Sequence, residues 1–80
     1  MHIKMLFFGA VKDITSNNSI DLEVDKDVNI EALVDLLQQK FSDFPSIDNF
    51  TVAVNETYVE KDFVLRDNDI VAIIPPVSGG

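Results

Sequence analysis

The residues with the clearest chemical potential are the last six, Pro75 to Gly80, which read PPVSGG. Proline fixes φ at about −65° and has no amide hydrogen, so Pro75 and Pro76 cannot continue a sheet and direct the chain outward. Six extended residues reach at most about 20 Å. Gly79 and Gly80 lack side chains and can enter a slot too narrow for any other residue. The pattern predicts an extended probe with a carboxylate at its tip.

The rest of the chain offers few catalytic groups. It contains no cysteine, which excludes thiolate chemistry, disulfides and cysteine zinc sites. The single histidine, His2, lies at a terminus that we expect to be mobile, so neither a Ser-His-Asp triad nor a histidine metal cluster is supported. The only glycines are Gly9, Gly79 and Gly80, too few for a phosphate-binding loop. We therefore expect no metal site and no bound cofactor.

Composition and charge indicate one small soluble domain. The 80 residues are 46% hydrophobic, and 14 acidic against 6 basic residues give a net charge of −8. Such a charge repels nucleic acid and anionic membrane surfaces, so we expect neither as a partner. The apolar run Met5 to Val11 is followed at once by two charged residues, and no run approaches the roughly 20 residues of a membrane span. A cytoplasmic protein is expected.

The elements that must position the C-terminal probe can be placed by periodicity. Strands are predicted at Ile3 to Phe8, Ile20 to Val24, Thr51 to Asn55, Tyr58-Val59 and Ile70 to Ile74, the second of them at a sheet edge. A short helical turn is expected at 10–15, a turn at 16–19, and a further turn at 67–69. Apolar residues from Ile30 to Phe41 recur at steps of three and four, which predicts one amphipathic helix with Asn29 as its N-cap.

This order predicts an α+β fold, the β-grasp, in which one main helix packs on one face of a mixed sheet and the first and last strands pair in parallel. The globular domain is expected at 1–74 and the tail at 75–80. Alternation places five residues on the helix-covered face: Ile3, Met5, Phe7, Val71 and Ile73. It leaves an apolar cluster on the open face: Leu6, Phe8, Ala53, Ala72 and Ile74, with Tyr58 at the rim. Such a cluster predicts a docking surface; the alternative is that residues 60–66 cover it.

Three segments resemble a known family, the small subunits of molybdopterin synthase, which are ubiquitin-like sulfur carriers. The most specific is NDIVAIIPPVSGG at 68–80, supported by AVNETYV at 53–59 and MLFFGAVKD at 5–13. Asn68 stands where this family often has glycine, and Asn29 where it usually has Ser or Thr. Neither departure touches the tail.

The resemblance implies a mechanism centred on Gly80. A ubiquitin-activating-like adenylyltransferase, using ATP and Mg, adenylates this carboxylate, and a sulfur donor protein replaces AMP to leave a terminal thiocarboxylate. Gly79 threads the tail into the large synthase subunit, in a heterotetramer of two small and two large subunits, where sulfur converts cyclic pyranopterin monophosphate into the molybdopterin dithiolene. The implied partner-binding residues are Phe8, Tyr58, Ile74, Pro75, Pro76, Val77 and Ser78. Catalytic residues then belong to the partners, and the chain is a non-catalytic sulfur-donor subunit.

Two other functions share the fold and the Gly-Gly end. One is a sulfur carrier for thiamin synthesis or tRNA thiolation, although the double proline and Val77-Ser78 look like the molybdopterin group. The other is a ubiquitin-like protein modifier joined to lysines by an isopeptide bond. The chemical state of Gly80, thiocarboxylate or lysine amide, distinguishes them. The sequence leaves open whether the metal is molybdenum or tungsten, which donor supplies sulfur, and whether the activating enzyme is shared.

Overall fold

A computed structural model describes residues 1–76, in which five strands, two α-helices and one short 3-10 helix are present. In chain order these are β1 (His2–Phe7), α1 (Gly9–Thr15), β2 (Ser19–Glu23), α2 (Ile30–Lys40), the 3-10 helix (Ile47–Asn49), β3 (Thr51–Val54), β4 (Thr57–Val59) and β5 (Ile70–Ile74). The predicted bounds of β5 are confirmed, and those of β1 to β4 are each wrong by one residue at one or both ends. No helix in the described part of the chain is long and apolar enough to cross a membrane.

The strands form one mixed sheet in the order β2-β1-β5-β3-β4. Strands β1 and β5 are parallel, with Leu6 opposite Ala72, whereas all other pairs are antiparallel. The predicted parallel pairing of the first and last strands is confirmed, as is the edge position of β2. This arrangement is the β-grasp.

Hydrogen bonds at both ends define the limits of helix α2. The side-chain oxygen of Asn29 accepts a hydrogen bond from the amide of Ala32 at 2.8 Å, which confirms the predicted N-cap. Phe41, predicted as the last helical apolar residue, instead has an extended backbone, and its amide donates to the carbonyl of Leu37 at 2.8 Å. The buried face of the helix consists of Ile30, Leu33, Val34 and Leu37.

The helix-covered face of the sheet forms the core. All five residues predicted there are buried, with at most 2% of their surface exposed. Phe7 also makes edge-to-face contacts with Phe41 and Phe44, at ring-centroid distances of 6.3 and 6.1 Å, and Phe44 contacts Phe50 at 5.7 Å. Phe44 belongs to the core and Phe50 is partly buried against it, but both lie in an irregular segment where no periodicity in the sequence identifies the buried side.

Candidate functional site: an apolar groove beside the tail

The open face of the sheet carries a row of side chains across four strands. Leu6 in β1 lies opposite Ala72 in β5, Ala72 lies opposite Ala53 in β3, and Ala53 lies opposite Tyr58 in β4. These four residues line an open groove of about 590 Å³, whose other lining residues are Phe8, Asn55, Glu56, Ile70 and Ile74. We call this feature the open-face groove. Every residue predicted for the apolar cluster lies in it.

The shape of the open-face groove follows from the sizes of its residues. Ala53 forms the floor and is only 6% exposed, whereas Phe8 is 47% and Tyr58 is 71% exposed. Two alanines on neighbouring central strands therefore leave a trough between larger side chains. A sheet face in contact with water normally carries polar residues. A contiguous apolar groove on such a face is typical of a surface that binds a partner.

The loop 60–66, considered as a cover for this face, lies elsewhere. Its carbonyls at Lys61 and Phe63 accept the amides of Glu31 and Ile30, each at 3.0 Å, so the loop is tied to the start of α2. Leu65 is buried in the core cluster. No residue of this loop lines the open-face groove, which remains uncovered among residues 1–76.

The tail begins at the edge of the open-face groove. Ile74 ends β5 and lines the groove, and Pro75, the next residue, is half-buried. Pro75 packs closely on Gly9, the first residue of α1: a Cβ atom added to Gly9 would lie 3.0 Å from Cγ of Pro75. Gly9 also has φ +55°, which favours glycine. The start of the tail is therefore held against the body beside the groove.

Four of the predicted tail residues, Val77, Ser78, Gly79 and Gly80, lie outside the described residues. Their threading and sulfur-carrying roles stay predictions, as does the domain boundary between 1–74 and 75–80. Pro76 is described and is exposed.

A polar network that the sequence analysis missed fixes one end of the groove. The side-chain amide of Asn55 donates to the Asp69 carboxylate at 2.9 Å, and its oxygen accepts the amide of Ile70 at 3.0 Å. The other oxygen of Asp69, a residue that is 9% exposed, accepts the amide of Arg66 at 2.8 Å. The predicted turn before β5 is confirmed by Asn68 at φ 69°. The network ties the turn after β3 to the start of β5.

Two further groove residues could have been found from the sequence. Ile70 alternates with Ala72 and Ile74, so the period of two already places it on the open face. Glu56 follows Asn55 between two strand-like segments, which is a hairpin-turn signal. Asn55, predicted as the last residue of β3, lies instead in the turn that follows this strand.

The described residues bring together no metal-binding or catalytic cluster. Within residues 1–76, no group of three His, Asp or Glu side chains is arranged to hold a metal ion. The prediction that His2 lies at a mobile terminus is wrong. His2 belongs to β1, and its backbone amide donates a hydrogen bond to the Asp67 carboxylate at 2.8 Å. Its exposed ring nitrogen Nε2 lies 3.2 Å from Oδ1 of Asp21.

Comparisons with known proteins agree with this fold. A chain of the complex of subunits 1 and 2 of molybdopterin-converting factor from Helicobacter pylori 26695 superimposes with a TM-score of 0.73 at 23% identity, covering 100% of both chains. Small archaeal modifier protein 1 from Haloferax volcanii superimposes with a TM-score of 0.82 at 19% identity, covering 95% of this chain and 98% of that chain. These two likenesses show a shared fold.

Sequence similarity shows the family of this chain as well as its fold. The molybdopterin synthase sulfur carrier subunit of Chlamydomonas reinhardtii is 35% identical over 86 aligned positions, which cover 100% of both proteins. The model of the ThiS family matches residues 5–80, nearly the whole chain. This chain therefore belongs to the ThiS family.

Proposed function

We propose that this chain is the sulfur carrier subunit of a molybdopterin synthase. The observation that carries the proposal is the continuity of the open-face groove with the tail: Ile74 lines the groove and Pro75 begins the tail. A partner bound in the groove is thereby positioned to receive the residues that follow. Membership of the ThiS family and the name of the 35% identical relative support the same function.

The chemistry of the proposal takes place at the carboxylate of Gly80. A free carboxylate is a poor electrophile, so an activating enzyme first converts it to an acyl adenylate with ATP and Mg. Sulfur at the sulfide level, supplied by a sulfur donor protein, then attacks the acyl carbon, displaces AMP and leaves a thiocarboxylate. In the large subunit two such sulfur atoms, one from each of two thiocarboxylated chains, are transferred to cyclic pyranopterin monophosphate to build the dithiolene, and water returns each Gly80 to the carboxylate.

In this proposal the residues of this chain bind the large subunit and position the tail. Phe8, Tyr58 and Ile74 supply apolar surface for the large subunit, and Pro75 with Pro76 directs the tail away from β5. Gly79 permits close passage through the partner's active site. We propose an assembly of two small and two large subunits, acting in the cytoplasm.

Intact-mass analysis of the protein isolated from its native cell tests this function. We expect a fraction whose mass is raised by one oxygen-to-sulfur exchange, and fragmentation should locate the exchange at Gly80. The chain has no cysteine that could hold a stray persulfide, and Met1 and Met5 gain oxygen instead of exchanging it. Mixed with a large subunit and the cyclic pterin, this fraction should lose its sulfur and yield dithiolene product.

The control is a chain that lacks Gly80, which should fold but carry no sulfur. Even a 1 Å displacement of a reacting group can cost about 100-fold in rate, so a tail shortened by one residue cannot react in register. Sulfur consumed only in a thiamin or tRNA thiolation assay would contradict the proposed pathway. An isopeptide bond from Gly80 to lysine without any thiocarboxylate would favour the modifier function instead.

A further inference from the structure

One charged side chain stands on the rim of the open-face groove. Among the residues that line this groove, Glu56 is the only one with a formal charge at neutral pH. It is exposed, and it lies beside the apolar surface formed by Ile70, Ala72 and Tyr58. A partner that covers the groove must therefore meet this carboxylate.

The backbone at Glu56 is unfavourable for a side chain. Asn55 and Glu56 form the two-residue turn between β3 and β4, with φ values of 50° and 73°. Positive φ at both positions is the requirement of a type I′ turn, in which glycine is favoured at the second position. A glutamate held there is strained.

Local contacts compensate for this strain at Asn55 but not at Glu56. Asn55 makes two side-chain hydrogen bonds, to the Asp69 carboxylate and from the Ile70 amide. Within residues 1–76, the Glu56 carboxylate makes no hydrogen bond or ion pair. Glu56 therefore brings strain to the isolated fold without a contact that offsets it, which points to a role outside the isolated fold.

We propose that Glu56 determines the specificity and orientation of docking by pairing with a Lys or Arg at the edge of the partner's apolar surface. The inference rests on the proposed function, because the partner is the large synthase subunit. Apolar contact is non-directional, so the groove alone does not determine how the partner is rotated on it. A single charge at the rim removes this ambiguity, since only one orientation brings it next to a cation.

The test measures the affinity of the chain for the large subunit at low and at physiological salt. Loss of one exposed ion pair corresponds to about a two- to five-fold weaker Kd, so E56Q should show this change at low salt and a smaller dependence on salt than the wild type. E56K places like charges together and should bind still more weakly. The matched control is E60Q, which removes the same charge outside the groove and should bind as the wild type does.

A glycine variant separates the role in docking from a role in folding. E56G relieves the positive-φ strain, so its unfolding midpoint should rise by a few degrees while its affinity falls as in E56Q. A midpoint below that of the wild type would show that Glu56 stabilises the turn itself and would contradict the inference.

The binding outcomes distinguish this inference from the proposed function. If the wild type binds the large subunit and E56Q and E56K bind equally well at both salt concentrations, the role of Glu56 is overturned and the proposed function stands. If the wild type itself does not bind, the proposed function fails and the inference fails with it.

Discussion

The two faces of the sheet carry the same residue types in different environments. Ile73 and Ile74 are neighbours in β5, yet Ile73 is fully buried under α2 whereas Ile74 lines the open-face groove. Phe7 and Phe8 differ in the same way, at 2% and 47% exposure. Hydrophobicity alone therefore does not distinguish a core residue from a residue of the open-face groove. The position within the alternation does, because successive side chains of a strand point to opposite faces.

The difference arises because this domain has one main helix for two sheet faces. Helix α2 buries one face, and the other keeps apolar side chains that a helix on that side would otherwise cover. On the covered face apolar surface contributes to the free energy of folding. On the open face we propose that the same kind of surface contributes to the free energy of binding a partner.

The largest expected contrast is between Phe7→Asp and Phe8→Asp. A charge at position 7 is buried against the rings of Phe41 and Phe44. A domain of this size has a stability of roughly 4–12 kcal/mol, and an unpaired buried charge added to the lost aromatic contacts should exceed most of it. F7D should be unfolded by circular dichroism. F8D should stay folded and lose affinity for the large subunit.

Equal unfolding of F7D and F8D would contradict the assignment of faces, because Phe8 would then be part of the core. Full-strength binding by a folded F8D would contradict the docking role of the open-face groove.

A milder comparison uses the two neighbouring isoleucines. Ile73→Ala removes fully buried carbons and should lower the free energy of unfolding by about 2–5 kcal/mol. Ile74→Ala shortens a half-exposed side chain and should lower the free energy of unfolding by less than about 1 kcal/mol. Urea denaturation measures both values. I74A, but not folded I73A, should also bind the large subunit more weakly, and a loss of stability as large for I74A as for I73A would be inconsistent with this comparison.

The smallest expected contrast between two variants concerns a residue of the open face that supports the fold. Asn55→Ala removes the hydrogen bonds to Asp69 and from Ile70 and leaves a carboxylate oxygen without its partner, which should cost about 1–3 kcal/mol. Asn49→Ala is the matched control, since Asn49 is exposed and its side chain makes no hydrogen bond within residues 1–76. Its stability should change by less than about 0.5 kcal/mol. Thermal unfolding of both variants checks this; equal stability would show that the Asn55 network is dispensable.

The features that depend on local periodicity and capping could be predicted from the sequence. The span of β5, the N-cap at Asn29, the turn at Asn68 and the division of β1 and β5 into two faces all follow from spacing, because the strand and helix periods are properties of the backbone. The apolar groove followed from the same alternation. The chemistry of the tail rested on Gly79-Gly80 and on a family resemblance.

The contacts between distant segments could not be predicted from the sequence and are visible in the three-dimensional structure alone. It brought Pro75 onto Gly9, joined Asn55 to Asp69, placed Phe44 in the core, and tied residues 60–66 to the start of α2 instead of over the open face. It also showed that Glu56 occupies a left-handed position on the groove rim. These contacts join residues far apart in the chain or within irregular segments, where no period exists and the position of each group depends on how the whole sheet and helix pack.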